Sequence, residues 1–242
     1  MIVDSMTYEE IIDLFKVDCA ILLHKINENN KRFQKAVRES RTKGKRYFKP
    51  ITFSGSRGFN YVLQFFDYGI DYPTKKRLGL YYYAWFRKNR GIYALSFTKL
   101  GGSVWHFTIF HPHFFDRYRD RFLKDPNLSK PEVIFKFVRN NQKKSATNIP
   151  SEKYPDGYWM ACTDGLCLCH NIHNLIIEAK TFITWDMAGV DQREIGIKSQ
   201  ELAIKAGFDL SIPVEDFEEY DLEDNYVGQG SAPSPILWIG YK

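Results

Sequence analysis

At 242 residues the chain can hold one large domain or two small ones, each with a real core. An apolar fraction of 44% argues against disorder, and the longest apolar run, 78–86, is too short to cross a bilayer. The net charge of +5 conceals an asymmetry: residues 1–150 carry 28 Lys+Arg against 13 Asp+Glu, and residues 151–242 carry 6 against 16. A basic front of this kind favours an anionic partner such as RNA or another nucleic acid, although solvated surface charge is the plainer account of any one basic run. The start, with Asp4, Glu9 and Glu10, lacks the basic and then apolar pattern of a signal peptide. Four cysteines are sparse for a secreted disulfide scaffold, so a cytoplasmic address is expected.

In chain order, Thr7-x-x-Glu10 is a capping box, and Ile11, Ile12, Leu14, Phe15, Ile21, Leu22 and Leu23 continue it as the apolar stripe of a helix. From Lys25 to Lys49 the chain turns basic, with ten Lys or Arg opposed by Glu28 and Glu39, which suggests an exposed helical arm that Gly44 breaks. Strand signals follow at Tyr47–Phe53, Phe59–Phe66, Arg77–Arg87, Ile92–Thr98 and Val104–Phe110, rich in aromatic and β-branched residues. The short turns between them, Asn89-Arg90-Gly91 and Gly101-Gly102, require antiparallel pairing and predict a β-meander.

Pro112 suits the first turn of a helix running to Phe122, and Asp125-Pro126 ends it. Ser129-x-x-Glu132 opens a second helix through Val138, and Asn140 to Asn148 is a polar connector. Strands are expected at Gly157–Thr163, Leu166–His170 and Leu175–Met187, with Asp164-Gly165 as a two-residue hairpin turn. Asp191-x-x-Glu194 is the expected cap of a last helix that Gly207 stops. Eight carboxylates between Asp209 and Asp224, a Gly/Ser/Pro linker at Gly228–Pro235 and a terminal strand, Ile236–Tyr241, complete the chain.

The pattern predicts an α+β fold: an antiparallel meander, then helices and a second antiparallel hairpin sheet, with the helices packed on the sheet. The expected organisation is an N-terminal helical basic arm (1–46), an α+β core (47–208, with the meander at 47–110 and the helix–sheet part at 111–208), and an acidic tail with the terminal strand (209–242).

The segment that concentrates chemistry is His111–Phe122. On an α-helix His113, Arg117 and Arg121 fall at i, i+4 and i+8, within about 80° of one face. Phe114, Phe115, Tyr118 and Phe122 form the opposite face that would dock on a sheet. An imidazole can move a proton near neutral pH, and guanidinium groups stabilise developing charge on a phosphate. Cleavage of RNA by its own 2′-hydroxyl needs those two services and no metal. The bland alternative makes Arg117 and Arg121 partners of Asp116 and Asp120 in surface pairs, with His113 an ordinary first-turn residue.

His-x-x-x-Arg-x-x-x-Arg, a Ser-x-x-Glu helix, an Asp-Gly hairpin and a strand ending in Thr together resemble RelE/barnase-like small RNase toxin domains. The residues that carry the resemblance are His113, Arg117, Arg121, Ser129, Asp164, Gly165 and Thr184, over about 75 residues from His111 to Met187. It implies proton transfer by His113 and phosphate contact by Arg117 and Arg121, with Lys180 and Thr184 in support. The strands of 47–110 and the acidic C-terminal region are extra to that pattern, and the 209–224 stretch is a candidate internal cover for a basic site.

Other clusters carry less. His106, His111 and His113 lie close together, but Pro112 sets the last two across a strand–helix junction, and no acidic ligand sits at a telling distance. Cys162, Cys167 and Cys169, with His170 and His173, suggest thiolate ligation, yet cysteines aligned on a strand face beside Met160 are more often core. Ser54-Gly55-Ser56-Arg57-Gly58 could offer N–H groups to a phosphate but reads better as a β-turn. No metal and no cofactor is expected. The functional expectation is a nucleic-acid-interacting protein, in its sharpest form a metal-independent ribonuclease without a membrane segment. The alternative is a non-enzymatic module that binds protein or nucleic acid.

Overall fold

A computed structural model describes residues 1–72, 77–100, 104–141, 144–147, 157–173, 175–205 and 236–239. The protein is α+β, with helices packed on mostly antiparallel sheet, as its sequence pattern predicts. The described residues form two compact units, one built on Met1–Phe86 and the other on Arg87–Thr98 and the described parts of Trp105–Leu210 and Pro233–Lys242.

In the first unit a single helix, α1 (Tyr8–Glu39), runs for 32 residues, about 48 Å at 1.5 Å per residue. The capping box starts it: Thr7 Oγ1 accepts the Glu10 N–H at 3.3 Å and Glu10 Oε2 accepts the Thr7 N–H at 2.8 Å. It ends at extended Ser40, whose N–H reaches back to the Ala36 and Val37 carbonyls. Ile11, Phe15, Leu22, Ile26, Phe33 and Val37 recur at helical spacing and are buried. The basic stretch from Lys25 is therefore, as far as Glu39, the second half of a packed helix, with its charges on the outer side and Phe33 stacked on Phe65 at 4.5 Å.

The helix lies against an antiparallel ladder in which β3 (Asn60–Asp67) pairs with β4 (Leu78–Lys88) on one edge. On its other edge β3 pairs with two short strands, β1 (Arg46–Tyr47) and β2 (Ile51–Ser54). One strand was expected over Tyr47–Phe53. Pro50 has no N–H to give a ladder, so the strand breaks there. Phe48 still donates to the Phe65 carbonyl at 3.0 Å, and the Gln64 side-chain amide donates to the Phe48 carbonyl at 3.1 Å across the gap.

The Ser54–Gly58 loop is a turn, and it is bound to a buried carboxylate of α1. Asp18 Oδ1 accepts from the Ser56 hydroxyl at 2.8 Å and the Ser56 N–H at 3.2 Å, while Tyr61 donates to its Oδ2 at 3.3 Å. Gly55 is required at that approach, because a Cβ there would stand 1.8 Å from Asp18 Oδ2.

In the second unit the strand order is β5, β6, β10, β9, β8, β7, β11. Its elements are β5 (Gly91–Leu100), β6 (Val104–Phe110), α2 (Pro112–Tyr118), α3 (Lys130–Asn140), β7 (Lys144–Thr147), β8 (Gly157–Cys162), β9 (Gly165–His173), β10 (Ile176–Thr184), α4 (Val190–Lys205) and β11 (Ile236–Ile239). Two pairings are parallel, β10 with β6 and β11 with β7. The long excursion through α2, α3 and the β8–β9 hairpin lets β10 return alongside β6 in the same direction.

Several local expectations shift. The polar connector contains β7. The two-residue turn is Thr163-Asp164, with Gly165 opening β9 opposite Cys162 and Met160 opposite Cys167. Gly165 is needed there because Ile183 O would lie 2.1 Å from a Cβ. α4 starts one residue before Asp191, and Gln192 Oε1 takes the Gly189 N–H at 3.1 Å, so Asp191 lies in the first turn and is not the cap. Gly207, the 209–224 acidic stretch and the 228–235 linker lie outside the described residues.

Phe110, Phe114, Phe115, Tyr118, Phe137 and Phe182 are all buried and pack ring to ring where α2 and α3 cover the sheet. Each such ring contributes about 2 kcal/mol relative to exposure. Cys162, Cys167 and Cys169 are buried core residues, with the Sγ atoms of Cys162 and Cys167 3.8 Å apart. Among the described residues no group of three or more His, Cys, Asp or Glu could hold a metal, and no helix is long and apolar enough to cross a membrane.

Candidate functional site

The site grows from the junction between β6 and α2. His111 ends β6 in extended conformation and caps α2, its Nδ1 accepting the His113 N–H at 3.2 Å. In the neutral ring this leaves the proton on Nε2. Its own N–H donates to the Ala179 carbonyl of β10 at 3.0 Å, so the parallel pairing itself sets the ring beside β10. The Tyr93 ring meets it edge-on at 5.2 Å.

Registers decide what His111 faces. Glu178 is opposite Ile109 on β6 and opposite His170 on β9, so these three share one face of the sheet. His111 lies two residues beyond Ile109 and falls on that face, while the aromatic core of α2 and α3 occupies the other. Glu178 is only 8% exposed. Lys180 follows at a β-bulge, the one residue between Ala179 and Thr181 with no register partner on β9, and its Nζ stands 3.5 Å from Glu178 Oε2.

These charges act on His111. Burial holds its imidazole below the ordinary histidine value; Glu178 opposes this, while Arg90, His113 and Lys180 reinforce it. His106, half-buried on β6, is likewise held down by burial.

Of the residues expected from sequence, His113 and Arg117 are brought together. His113 is exposed in the first turn of α2, and Arg117 Nε donates to its Nε2 at 3.1 Å. Arg121, the next residue of that spacing, is bound to the sheet. The chain from Arg119 to Leu123 is a π-helical turn, closed by the Lys124 N–H on the Arg119 carbonyl at 2.7 Å with Lys124 left-handed at φ 52°. Arg121 Nη1 there donates to the Phe182 carbonyl at 2.5 Å. Burial, then the nearby Arg117 charge, pull the Arg121 guanidinium below its ordinary value. Asp116 and Asp120 pair with Lys130 and Arg119 rather than with Arg117 or Arg121.

Lys180 joins the His111–Glu178 group, whereas Thr184 does not. Thr184 sits opposite Gly165 at the far end of β10, about 15 Å along the strand from Ala179. Phe114, Phe115 and Tyr118 are buried as expected; Phe122 is half exposed and stacks on Tyr118 at 5.3 Å.

Tyr118 anchors α2 from below. Its hydroxyl donates to Asp164 Oδ2 at 2.6 Å in the β8–β9 turn, and Asn141 clamps the same residue with its Nδ2 at 2.8 Å and its Oδ1 on the Asp164 N–H at 2.9 Å. Sequence reasoning missed Glu178 as a site residue and considered His111 only as a metal ligand. A buried glutamate inside an otherwise apolar strand, Ile176–Ala179, was the available signal.

Comparison with family models, curated proteins and solved structures finds no match for this chain.

Proposed function

We propose that this is a nucleic-acid-interacting protein whose second unit cleaves RNA without a metal. The observation that supports the reading is the junction at His111, on which the charges of Glu178, Lys180 and His113 all act, with Glu178 and Lys180 paired on β10 and His113 and Arg117 paired on α2. Attack of a 2′-hydroxyl on the adjacent phosphodiester needs a base for that proton, an acid for the departing 5′-oxygen and positive charge at the phosphoryl oxygens. Glu178 serves as the base, and His113 serves as the acid once Arg117 leaves its Nε2 for the phosphate and that nitrogen takes up a proton. His111 orients Glu178, and Arg117 and Lys180 neutralise the phosphate. Arg121, tied to the Phe182 carbonyl, holds the π-helical turn.

The test is cleavage of single-stranded RNA by purified protein in EDTA. Glu178→Gln and His113→Ala should each lower the rate by about 10² to 10⁴ while circular dichroism stays unchanged. Arg121→Ala should cost stability more than rate. No cleavage in EDTA, or full cleavage by both variants, overturns the enzymatic reading. Binding without cleavage supports the non-enzymatic module, which the engagement of Arg121 by the Phe182 carbonyl favours.

A further inference from the structure

The first unit carries a second concentration of charge that the chemistry at α2 does not use. Between α1 and β2 the chain passes Arg41, Lys43, Lys45, Arg46 and Lys49, all exposed. This segment is not a free arm. The Thr42 carbonyl accepts the Ile70 N–H at 3.0 Å, the Gly44 N–H donates to Asp71 Oδ1 at 2.9 Å, and Ser40 Oγ bonds Thr42 at 3.2 Å. Gly44 itself is left-handed, at φ +70°.

Rings alternate with these cations. The Lys45 ammonium lies 4.0 Å from the Phe66 ring centre, 4.9 Å from Tyr81, 5.3 Å from Tyr68 and 5.5 Å from Tyr47, and it also meets the Tyr81 hydroxyl. The Arg46 guanidinium covers Phe48 at 5.0 Å, and half-buried Tyr68 and Tyr72 stack on each other at 4.1 Å. Cation–π contacts fix the backbone of the segment on the turn after β3, so ordering it costs little when a ligand arrives.

We propose that Arg41–Lys49, with Tyr47, Tyr68 and Tyr72, is the docking surface for single-stranded nucleic acid. The inference rests on the nucleic-acid reading above but not on its catalytic part. Phosphates suit the exposed cations, and unpaired bases suit the rings between them, the combination that binds single strands with little sequence preference. An acidic protein would use the charges and leave the rings idle. Strand addition has little to build on, since β1 is two residues long.

The experiment is fluorescence anisotropy with a labelled 12-nucleotide 2′-O-methyl oligouridylate, which cannot be cleaved by its own 2′-oxygen, and with oligo-dT of equal length. With Lys45 held on its rings, four phosphate contacts predict a slope of log K against log salt of about −2.8, or roughly a fiftyfold loss between 50 and 200 mM. Lys43→Ala/Arg46→Ala/Lys49→Ala should flatten the slope to about −0.7. Tyr72→Ala should weaken binding about fivefold or more with the slope unchanged. Each variant's melting curve reports whether it is folded.

If the wild type binds and the folded triple variant binds with the same affinity and slope, this surface is wrong while the wider reading stands. If neither oligonucleotide binds the wild type, the nucleic-acid reading itself fails. Equal affinity for polyglutamate reduces the surface to polyanion attraction and overturns the proposal. Equal binding of the two oligonucleotides supports sequence-tolerant stacking, and tighter 2′-O-methyl binding supports the same surface with RNA as its ligand.

Discussion

Replacing Tyr118 by Phe removes one oxygen from the base of the candidate site, and the structure allows its cost to be worked out. The ring keeps its packing, edge-on to Phe137 and Phe182 at 5.0 Å each, so the hydrophobic term is unchanged. What disappears is a 2.6 Å bond from a buried hydroxyl to a carboxylate oxygen and a longer one, 3.4 Å, from Asn140 Nδ2. Asn140 is exposed and is rehydrated, while Asp164 keeps Asn141 and is partly open to water. A bond to a charged acceptor is worth about 1.5–3 kcal/mol, and the partial compensation at Asp164 points to the lower end, about 1.5–2 kcal/mol. For a chain of this length that is a fall in Tm of roughly 3–8 °C.

Urea unfolding followed by tryptophan fluorescence measures the cost directly, with Asp164→Asn and the double variant completing a cycle. A coupling of about 1 kcal/mol is expected, because Tyr118→Phe removes the bond and Asp164→Asn removes the charge from its acceptor. Tyr118→Phe within about 0.5 kcal/mol of wild type, or full additivity, would refute the assignment of Asp164 as the anchor of α2.

The imidazoles set a pH dependence. His106 and His111 are held down by burial, so between the ordinary value near 6.5 and their lower folded values the unfolded chain binds more protons. Stability is therefore complete above about pH 7 and falls as pH drops through roughly 6.5. The urea midpoint should decline from pH 7.5 to 5.5 and do so less in a His106→Gln/His111→Gln variant; an identical decline in that variant removes these residues as the cause. The thiols supply a second check. Burial, with Asp18 adding to it, pushes the Cys19 thiol up to about 12, and Cys162, Cys167 and Cys169 are buried. All four should resist Ellman's reagent at pH 8 until the protein is unfolded, and rapid labelling of the native protein would contradict this packing.

What the sequence made legible was local. The Thr7 and Ser129 capping boxes and the aromatic back of α2 depend on contacts within a few residues, and they stand where the pattern placed them. The candidate site was legible only in part, because its parts meet through pairings that no local period encodes. Glu178 reaches His111 by a parallel register formed across more than sixty residues, and Lys180 is aimed at Glu178 by an unpaired residue in β10. Arg121 makes the same point, since spacing gives no sign of its partner, the Phe182 carbonyl of β10. A charged residue inside a buried strand is thus a better pointer to this site than helical spacing: burying Glu178 is costly unless charged or hydrogen-bonding partners surround it, and those partners are the groups that could do chemistry.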